Sequence, residues 1–272
     1  MNAVALLAPG SGPSVAIPAL TGLGFGAVAI TVNPIGHLLT LLSALCITWA
    51  VLAATFYRDP ERRPHPDPDG LGAPADGRVL HVTRVRATAR RPGPGHPMST
   101  EDPITGPWHD GPPEDPMEFT TEFRWEPVPT GEEGDRDAWH VAIHMTLLDV
   151  HVNRTVVAGE IIAAEHRTGQ GRRRGPFRRS DRKDAPWNER VRWVIRTEGG
   201  TCVEMMQIAG AMTRGILPWR APGDVLQRGD RLGLIRLGSR FDVRFPASDW
   251  TPVIRAGEDV RASEDRLATS TR

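Results

Sequence analysis

Lysine is almost absent from this sequence. Lys183 is the only one, and it lies in a polar stretch rich in arginine. Enzymes that form a Schiff base through a side-chain amine, including pyridoxal-dependent decarboxylases, need a buried lysine. This class is therefore disfavoured, and no bound pyridoxal phosphate is expected.

Cysteines are also few, the net charge is zero, and several common catalytic motifs are absent. Of the two cysteines, Cys46 lies in an apolar run and Cys202 in a strand-like segment, so we expect no disulfide framework. The formal net charge is +0, so no overall field favours nucleic acid. The sequence has no G-x-S-x-G nucleophile elbow, Walker loop or G-x-G-x-x-G fingerprint.

No charged residue precedes Arg58. A secretory signal peptide begins with positive charge, so we expect none here. Leu38–Tyr57 is an uncharged run of 20 residues, about the length that crosses a bilayer core. Arg58, Arg62 and Arg63 follow it, and the positive-inside rule places that end on the cytoplasmic side of the cell membrane.

Residues 1–57 are therefore predicted to anchor the chain in a membrane. The earlier apolar segment, Val15–Val32, is interrupted by proline and glycine. The anchor is thus either a two-segment hairpin or one span beside an interfacial segment. A buried core helix is the alternative interpretation of Leu38–Tyr57. A linker rich in proline follows from Pro60 to Pro74.

Residues 58–272 are predicted to form a mainly β domain, a compact antiparallel sheet or sandwich. Glycine (28) and proline (25) are frequent, which favours turns and strands over long helices. Arg240–Phe245 alternates strictly between polar and apolar residues, so we expect a half-buried strand there. The other predicted strands are 79–82, 139–145, 156–164, 191–196 and 201–208.

Two insertions interrupt this pattern. Residues 88–134 are rich in proline, glycine and acidic residues and are predicted to be irregular. Residues 166–186 form a basic loop, whose cationic side chains include Arg172, Arg173, Arg174, Arg178, Arg179, Arg182 and Lys183. This loop is either a solvated loop or a patch that faces anionic lipid headgroups.

Three histidines lie close together in sequence. On a strand, His140 and His144 would share a face, but they have neither the H-E-x-x-H spacing nor a cysteine pair, so no metal site is expected. Asp149 and His151 could form an acid–base pair, although such residues at a strand end are more often structural. The step Gly238-Ser239, taken alone, is most simply a tight turn before a strand.

Six motifs in order resemble the phosphatidylserine decarboxylase family in its short bacterial and archaeal form. The resemblance covers roughly residues 55–82 and 139–262. It departs from the family at Ala73, where serine is usual. The motifs are Phe56-Tyr-Arg-Asp-Pro-Glu-Arg62, Pro74-Ala-Asp-Gly77, Leu148-Asp-Val-His-Val-Asn-Arg154, Asn188-Glu-Arg190, Gln207-Ile-Ala-Gly210 and Gly233-Leu-Ile-Arg-Leu-Gly-Ser-Arg-Phe-Asp-Val243.

The resemblance implies a proenzyme that cleaves itself between Gly238 and Ser239. Ser239 would become a covalent pyruvoyl group at the start of a short α chain, and Gly238 would end the β chain. The pyruvoyl group would form a Schiff base with the amine of phosphatidylserine and act as electron sink during loss of CO2. Phosphatidylethanolamine would be released, and the two chains would stay together as a non-covalent heterodimer. Whether they assemble further stays open.

The resemblance also assigns the site residues. Asp76 and His151 are expected near the Gly-Ser step as catalytic groups. Longer relatives have a second histidine where this chain has Arg154, so His151 would serve self-cleavage, decarboxylation or both. Arg154 and Asn153 are the expected substrate-binding residues, because a guanidinium suits a carboxylate or a phosphate.

Two other functions stay open. The chain could decarboxylate an altered serine phospholipid, such as an ether-linked one. It could also be a non-catalytic, membrane-anchored β-rich binding module in which Gly238-Ser239 is only a turn.

Overall fold

The computed structural model describes residues 7–31, 36–88, 101–102, 106–107, 124–134, 137–167, 188–210, 215–236 and 239–271. The chain divides into two compact units. The first contains residues 1–61 and 150–152, and the second contains residues 62–149 and 153–272.

The first unit is built on a helical hairpin, α1 (Gly12–Thr31) and α2 (Gly36–Phe56). The two ends of the hairpin lie together, because the backbone N–H of Ala8 donates to the carbonyl of Tyr57 at 2.8 Å. Between the helices, Ser43 Oγ donates to the carbonyl oxygen of Gly22 at 2.7 Å. A Cβ at Gly22 would lie 2.9 Å from Ile47 Cγ1, so the helices approach closely because this residue is glycine.

Both helices are long and apolar enough, by length and composition, to cross a membrane. Their apolar side chains are largely exposed, as at Leu20 (68%), Ile30 (87%) and Trp49 (60%). The interruption expected within the earlier segment is wrong, since α1 is continuous and contains Pro18 in its second turn. Gly22 and Gly26 allow close packing against α2 rather than ending the helix.

The second unit is built almost wholly of short strands. They are β1 (Leu71–Gly72), β2 (Gly77–Thr88), β3 (Glu101–Asp102), β4 (Gly106–Pro107), β5 (Arg124–Pro127), β6 (Asp137–Met145), β7 (Val152–Arg154), β8 (Gly159–Arg167), β9 (Arg190–Arg196), β10 (Cys202–Ile208), β11 (Ile216–Pro218), β12 (Val225–Leu226), β13 (Arg231–Ile235), β14 (Ser239–Pro246), β15 (Trp250–Pro252), β16 (Asp259–Val260) and β17 (Arg266–Ser270).

Among the described residues, nine strands form one large sheet. Its order is β12-β8-β9-β10-β14-β6-β2-β16, with β5 paired to β2, and the pairs along it are antiparallel. Two three-stranded sheets have the orders β1-β17-β15 and β11-β13-β7, and β3 pairs with β4. One apolar cluster joins the inner face of the large sheet to the three-stranded sheets, for example Phe241 to Leu267 and Leu232. The predicted mainly β, antiparallel class is confirmed.

The strand predicted over Arg240–Phe245 is present as β14, but it is not half-buried. All eight residues of β14 are buried, on both faces of the sheet. The polar face stays inside because its charges pair: Arg240 donates to Asp242 Oδ2 at 2.7 Å, and Arg244 donates to Glu204. Alternation therefore predicted which side chains share a face, whereas ion pairing decided how deeply the charged face is buried.

Both predicted insertions fall mainly outside the described residues. Within 88–134 the structure describes β3, β4, β5 and a turn that follows β5. The cationic side chains of the basic loop lie between residues 168 and 187, which are not among the described residues, so its two interpretations both stand.

Candidate active site

Ser239 is the first residue of β14 and is fully buried. β14 lies between β10 and β6 in the middle of the large sheet, and Ser239 pairs with Met145 of β6. Its Oγ lies 3.6 Å from Met145 Sδ. Because side chains alternate along a strand, this hydroxyl shares the apolar inner face with Phe241 and Val243. Gly238 lies outside the described residues.

The register of three strands brings the turn that holds Asp76 to the same edge of the sheet. Arg240 of β14 and Arg78 of β2 both pair with His144 of β6, from opposite sides. Adjacent strands lie about 5 Å apart, so Asp76 and Ser239 are separated by roughly 10 Å of sheet. The backbone at Gly77 can lie this close to β6 only because the residue is glycine, since a Cβ there would lie 2.2 Å from the carbonyl oxygen of His144.

Asp76 is a buried carboxylate with two hydrogen-bond donors. Arg62 Nη2 donates to its Oδ2 at 2.7 Å, and the backbone N–H of Ala262 donates to its Oδ1 at 2.8 Å. Arg62 also donates to Glu264 at 2.9 Å. Burial raises the pKa of Asp76 above its usual value, and the donors from Ala262 and Arg62 oppose that rise only in part. Asp76 thus combines a raised proton affinity with a fixed orientation.

His151 belongs to the first unit, where it lies against the end of the helical hairpin. It is fully buried, and its ring centroid is 4.0 Å from that of Phe56, the last residue of α2. Asp149 belongs to the second unit, and its Oδ2 accepts hydrogen bonds from the backbone N–H and the hydroxyl of Thr146 at 2.6 and 2.8 Å.

Asn153 and Arg154 follow on β7 and are both buried. Arg154 Nη1 donates to the carbonyl oxygen of Gly229 at 2.9 Å. Asn153 Nδ2 lies 3.5 Å from Met145 Sδ, the same sulfur that Ser239 Oγ contacts. Within the second unit, Asn153 and Ser239 thus lie against the same sulfur atom.

A chain of buried polar side chains leads away from Asn153. Gln207 Nε2 donates to Asn153 Oδ1 at 2.9 Å, and Trp193 Nε1 donates to Gln207 Oε1 at 3.1 Å. All three side chains are fully buried. Sequence reasoning quoted Gln207 within a motif but gave it no role, and nothing in the sequence pointed to Trp193. Arg62 ended one of the quoted motifs and was interpreted as a charge flanking the apolar segment, but it was given no role in the site.

The outer face of the large sheet carries a row of buried charges beside this site. His140 Nε2 lies 2.9 Å from Asp242 Oδ2 and its ring stacks edge-on against His81. Burial, and then His140, lowers the pKa of His81 to about 4. Burial alone would raise the pKa of Asp242, but Arg240 and His140 hold it well below its usual range. At neutral pH this row therefore contains neutral histidines and an ionised Asp242.

His140 and His144 do share one face of β6, as alternation predicted. Within the described parts of the chain, no group of three or more His, Cys, Asp or Glu side chains is arranged to hold a metal ion.

Comparisons with known proteins point to one family. The family model of phosphatidylserine decarboxylase matches residues 49–268. A phosphatidylserine decarboxylase proenzyme of Thermobifida fusca is 42% identical over 52% of this chain and 59% of its own length. Proenzymes of the same name from Pelobacter propionicus and Desulfotalea psychrophila are 30% and 29% identical, over 83% and 84% of this chain and 80% and 88% of their own lengths.

No solved structure matches the chain significantly. The family match nevertheless covers most of the sequence, including the turn that carries Asp76 and the strands that carry Asn153 and Ser239. The chain therefore belongs to the phosphatidylserine decarboxylase family.

Proposed function

We propose that this chain cleaves itself between Gly238 and Ser239 and then decarboxylates phosphatidylserine to phosphatidylethanolamine and CO2. The observation that carries the proposal is the position of Ser239. It is a fully buried serine at the first residue of a central strand, with a strand paired on each side. An ordinary turn serine would be exposed and would tolerate removal of its hydroxyl.

Self-cleavage needs no reagent beyond the chain and water. Ser239 Oγ loses its proton and bonds to the carbonyl carbon of Gly238, while the Gly238–Ser239 C–N bond breaks and the Ser239 nitrogen takes up a proton. Elimination across Cα–Cβ of residue 239 then releases the carboxylate of Gly238. The remaining dehydroalanine tautomerises to an imine, and water hydrolyses it to a ketone with loss of ammonia. A serine hydroxyl needs a neighbouring base for the first step.

We assign proton transfer to Asp76 and His151 together. Asp76 has a raised pKa, caused by burial, which suits a carboxyl group that takes up and returns a proton. His151 is a buried imidazole whose ring is held by Phe56. Arg154, oriented by the carbonyl of Gly229, is assigned to the carboxylate or phosphate of the substrate.

The surroundings of Ser239 fit a pyruvoyl group. The side chain is fully buried on the apolar inner face against Met145, so a ketone there would be shielded from water. When formed, such a group supplies an electron-accepting carbonyl for decarboxylation. The chain would supply the shielded pocket, the binding groups and the proton carriers.

The sheet topology supports two chains that stay associated after cleavage. The fragment from Ser239 would contain β14 to β17. β14 pairs with β10 and β6, β16 pairs with β2, and β17 pairs with β1 and β15. Separating the fragment would break the middle of the large sheet, so we propose a non-covalent heterodimer.

The two apolar helices support a phospholipid substrate. A diacyl lipid stays in the bilayer, so an enzyme that acts on it gains from an anchor there. α1 and α2 meet the length and hydropathy requirements for two crossings. With the arginines that follow α2, the positive-inside rule favours a cytoplasmic catalytic domain at the cell membrane.

The decisive experiment compares Ser239→Ala with Ser248→Ala, an exposed serine in the same C-terminal segment. Intact mass of the purified wild-type chain should show a C-terminal fragment of about 34 residues with a blocked N-terminus, counted from Ser239 to Arg272. Ser248→Ala should behave like the wild type. Ser239→Ala should remain full-length and should release no CO2 from phosphatidylserine in mixed micelles.

Two results would overturn the proposal. If the wild-type chain stays full-length and inactive in membranes, the non-catalytic binding module becomes the favoured function. A Ser239→Ala chain that still releases CO2 would exclude the pyruvoyl mechanism. Cleavage without release of CO2 from phosphatidylserine, but with release from an ether-linked analogue, would move the substrate to the altered serine lipid.

A further inference from the structure

The polar chain from Trp193 to Asn153 has a direction that chemistry determines. The indole Nε1–H of Trp193 can only donate a hydrogen bond, so the atom of Gln207 that faces it must be the carbonyl oxygen. The amide nitrogen of Gln207 must then face Asn153, and it can only donate to the carbonyl oxygen of Asn153.

The same reasoning fixes the far end of the chain. Since Asn153 Oδ1 faces Gln207, its Nδ2 is turned towards Met145 Sδ, at 3.5 Å. A thioether sulfur has no hydrogen to donate, so it too favours the amide nitrogen at this position. Both ends of the chain thus select one orientation of the Asn153 amide.

Ser239 lies at the end of this chain. Its Oγ contacts Met145 Sδ at 3.6 Å, so Asn153 Nδ2 and Ser239 Oγ lie against the same sulfur atom. All five side chains are at most 1% exposed, so water does not compete for these hydrogen bonds. The hydrogen-bonded side chains of Trp193, Gln207 and Asn153 are called the relay below. Gly233 leaves room for the relay, since a Cβ there would lie 3.3 Å from Gln207 Nε2.

We propose that Trp193 and Gln207 are positioning residues for self-cleavage, which act by holding the Asn153 amide with its N–H towards Ser239. This inference rests on the proposed self-cleavage at Ser239. The N–H stabilises the negative charge that Ser239 Oγ acquires as it gives up its proton. If the amide turned over, its carbonyl oxygen would face Ser239 and repel that charge.

The test reverses the direction of the hydrogen bonds in the relay. The variant is Gln207→Glu, in which an oxygen replaces the NH2 group of the side chain. An ionised glutamate cannot donate, so Asn153 would turn its NH2 towards Glu and its carbonyl towards Ser239. A protonated glutamate has one O–H to donate and restores the original orientation. We therefore expect cleavage of this variant to slow by about 10²-fold as the pH rises through the pKa of the new carboxyl group.

Two further variants separate the effect of the Asn153 amide orientation from the effect of side-chain packing at Gln207 and Trp193. Gln207→Met has nearly the same shape and no titratable group, so it should cleave slowly with no added pH dependence. Trp193→Phe removes the donor that fixes Gln207, and cleavage should slow about 10-fold with the wild-type pH profile. Each rate is the appearance of the C-terminal fragment by intact mass, in full-length protein held between about pH 5 and pH 9, with circular dichroism to confirm folding.

The outcomes distinguish this inference from the proposed function. If the wild-type chain does not cleave, the proposed function fails and the relay fails with it. If the wild-type chain cleaves but Gln207→Glu follows the wild-type pH profile, or matches Gln207→Met at every pH, the relay alone is wrong. If Gln207→Glu does not fold, wild-type cleavage rates in folded Trp193→Phe would overturn the relay.

Discussion

Arg62 donates a hydrogen bond to Asp76, with Nη2 2.7 Å from Oδ2. This ion pair joins the segment after the two apolar helices to the turn that opens β2, and the Arg62 side chain is 10% exposed. Burial raises the pKa of Asp76, while Ala262 and Arg62 counteract the rise. Arg62 thus limits how readily the buried carboxyl group is protonated.

The first prediction concerns this pair. Arg62→Gln removes a charge that lowers the pKa of Asp76, so the pKa should rise further and less carboxylate should be present at a given pH. We expect the acidic limb of the self-cleavage profile to move to higher pH, with cleavage about 10-fold slower near neutrality. Fragment formation followed by intact mass across pH measures both effects.

The matched control is Glu264→Gln, which removes the other partner of Arg62 and leaves Asp76 paired. It should cleave like the wild type. A pH profile of Arg62→Gln that coincides with the wild-type profile would show that ionisation of Asp76 does not govern cleavage.

The second prediction concerns the ring of Phe56. Phe56→Ala removes the aromatic contact at 4.0 Å from His151 and leaves a cavity beside a buried imidazole. We expect release of CO2 in detergent micelles to fall about 10-fold, because the imidazole loses its fixed orientation. Trp49→Ala, on the exposed surface of the same helix, should retain most of its activity in micelles. Equal losses in both variants would argue for a general effect on the hairpin.

The third prediction concerns the buried charge of Glu204. Its carboxylate accepts hydrogen bonds from Arg192 and Arg244, all nearly buried. Burial alone would raise its pKa, yet the two arginines hold it below the usual value. Glu204→Gln leaves two buried guanidinium groups without this counter-charge, so the free energy of unfolding should fall by about 3–5 kcal/mol.

This loss is best measured by urea denaturation in the uncleaved Ser239→Ala background, where a single chain unfolds. Glu198→Gln, in the exposed turn between β9 and β10, should change stability by less than about 0.5 kcal/mol. A Glu204→Gln chain as stable as its control would mean that the arginines find other partners.

The fourth prediction concerns His81 and pH. Its pKa is lowered to about 4 by burial and by His140, from the usual histidine value of 6.5. Between these values the unfolded chain binds more protons than the folded chain, so stability is lost as the pH falls. From about pH 7 to pH 5 the wild-type chain should lose roughly 1–2 kcal/mol more than His81→Gln, after allowance for partial exposure.

The measurement is again urea denaturation in the Ser239→Ala background, at the two pH values. Asp242, Arg240 and His140 face the same row and are retained in both chains, so the difference isolates His81. A wild-type chain and a His81→Gln chain with the same change in stability would show that folding does not lower the pKa of His81.

Sequence reasoning succeeded where the pattern is local. Alternation along Trp139–Met145 and Arg240–Phe245 predicted two strands that are present as β6 and β14. It also placed His140 and His144 on one face. It did not predict that the polar face of β14 is buried, because alternation has no information about what covers a face or about ion pairs between strands.

The site shows the same division. The ordered motifs that resemble the family singled out Ser239, Asp76 and Asn153, since each lies within one of those short segments. The relay escaped sequence reasoning because its members are far apart: Gln207 lies 54 residues from Asn153, and Trp193 lies 14 residues from Gln207. The pairing of Arg62 with Asp76 was missed for a similar reason, since the arginine was interpreted as a flanking charge.

The sequence by itself determined that this chain is mainly β, that two apolar segments precede its charged part, and that a Gly-Ser step opens a strand within a family signature. These features follow from residue type and short-range period. Only the tertiary structure decided that Ser239 is buried in the middle of a sheet and that Trp193 and Gln207 orient Asn153 beside it. Strand order and register create these contacts, and neither is encoded in the period of any single strand.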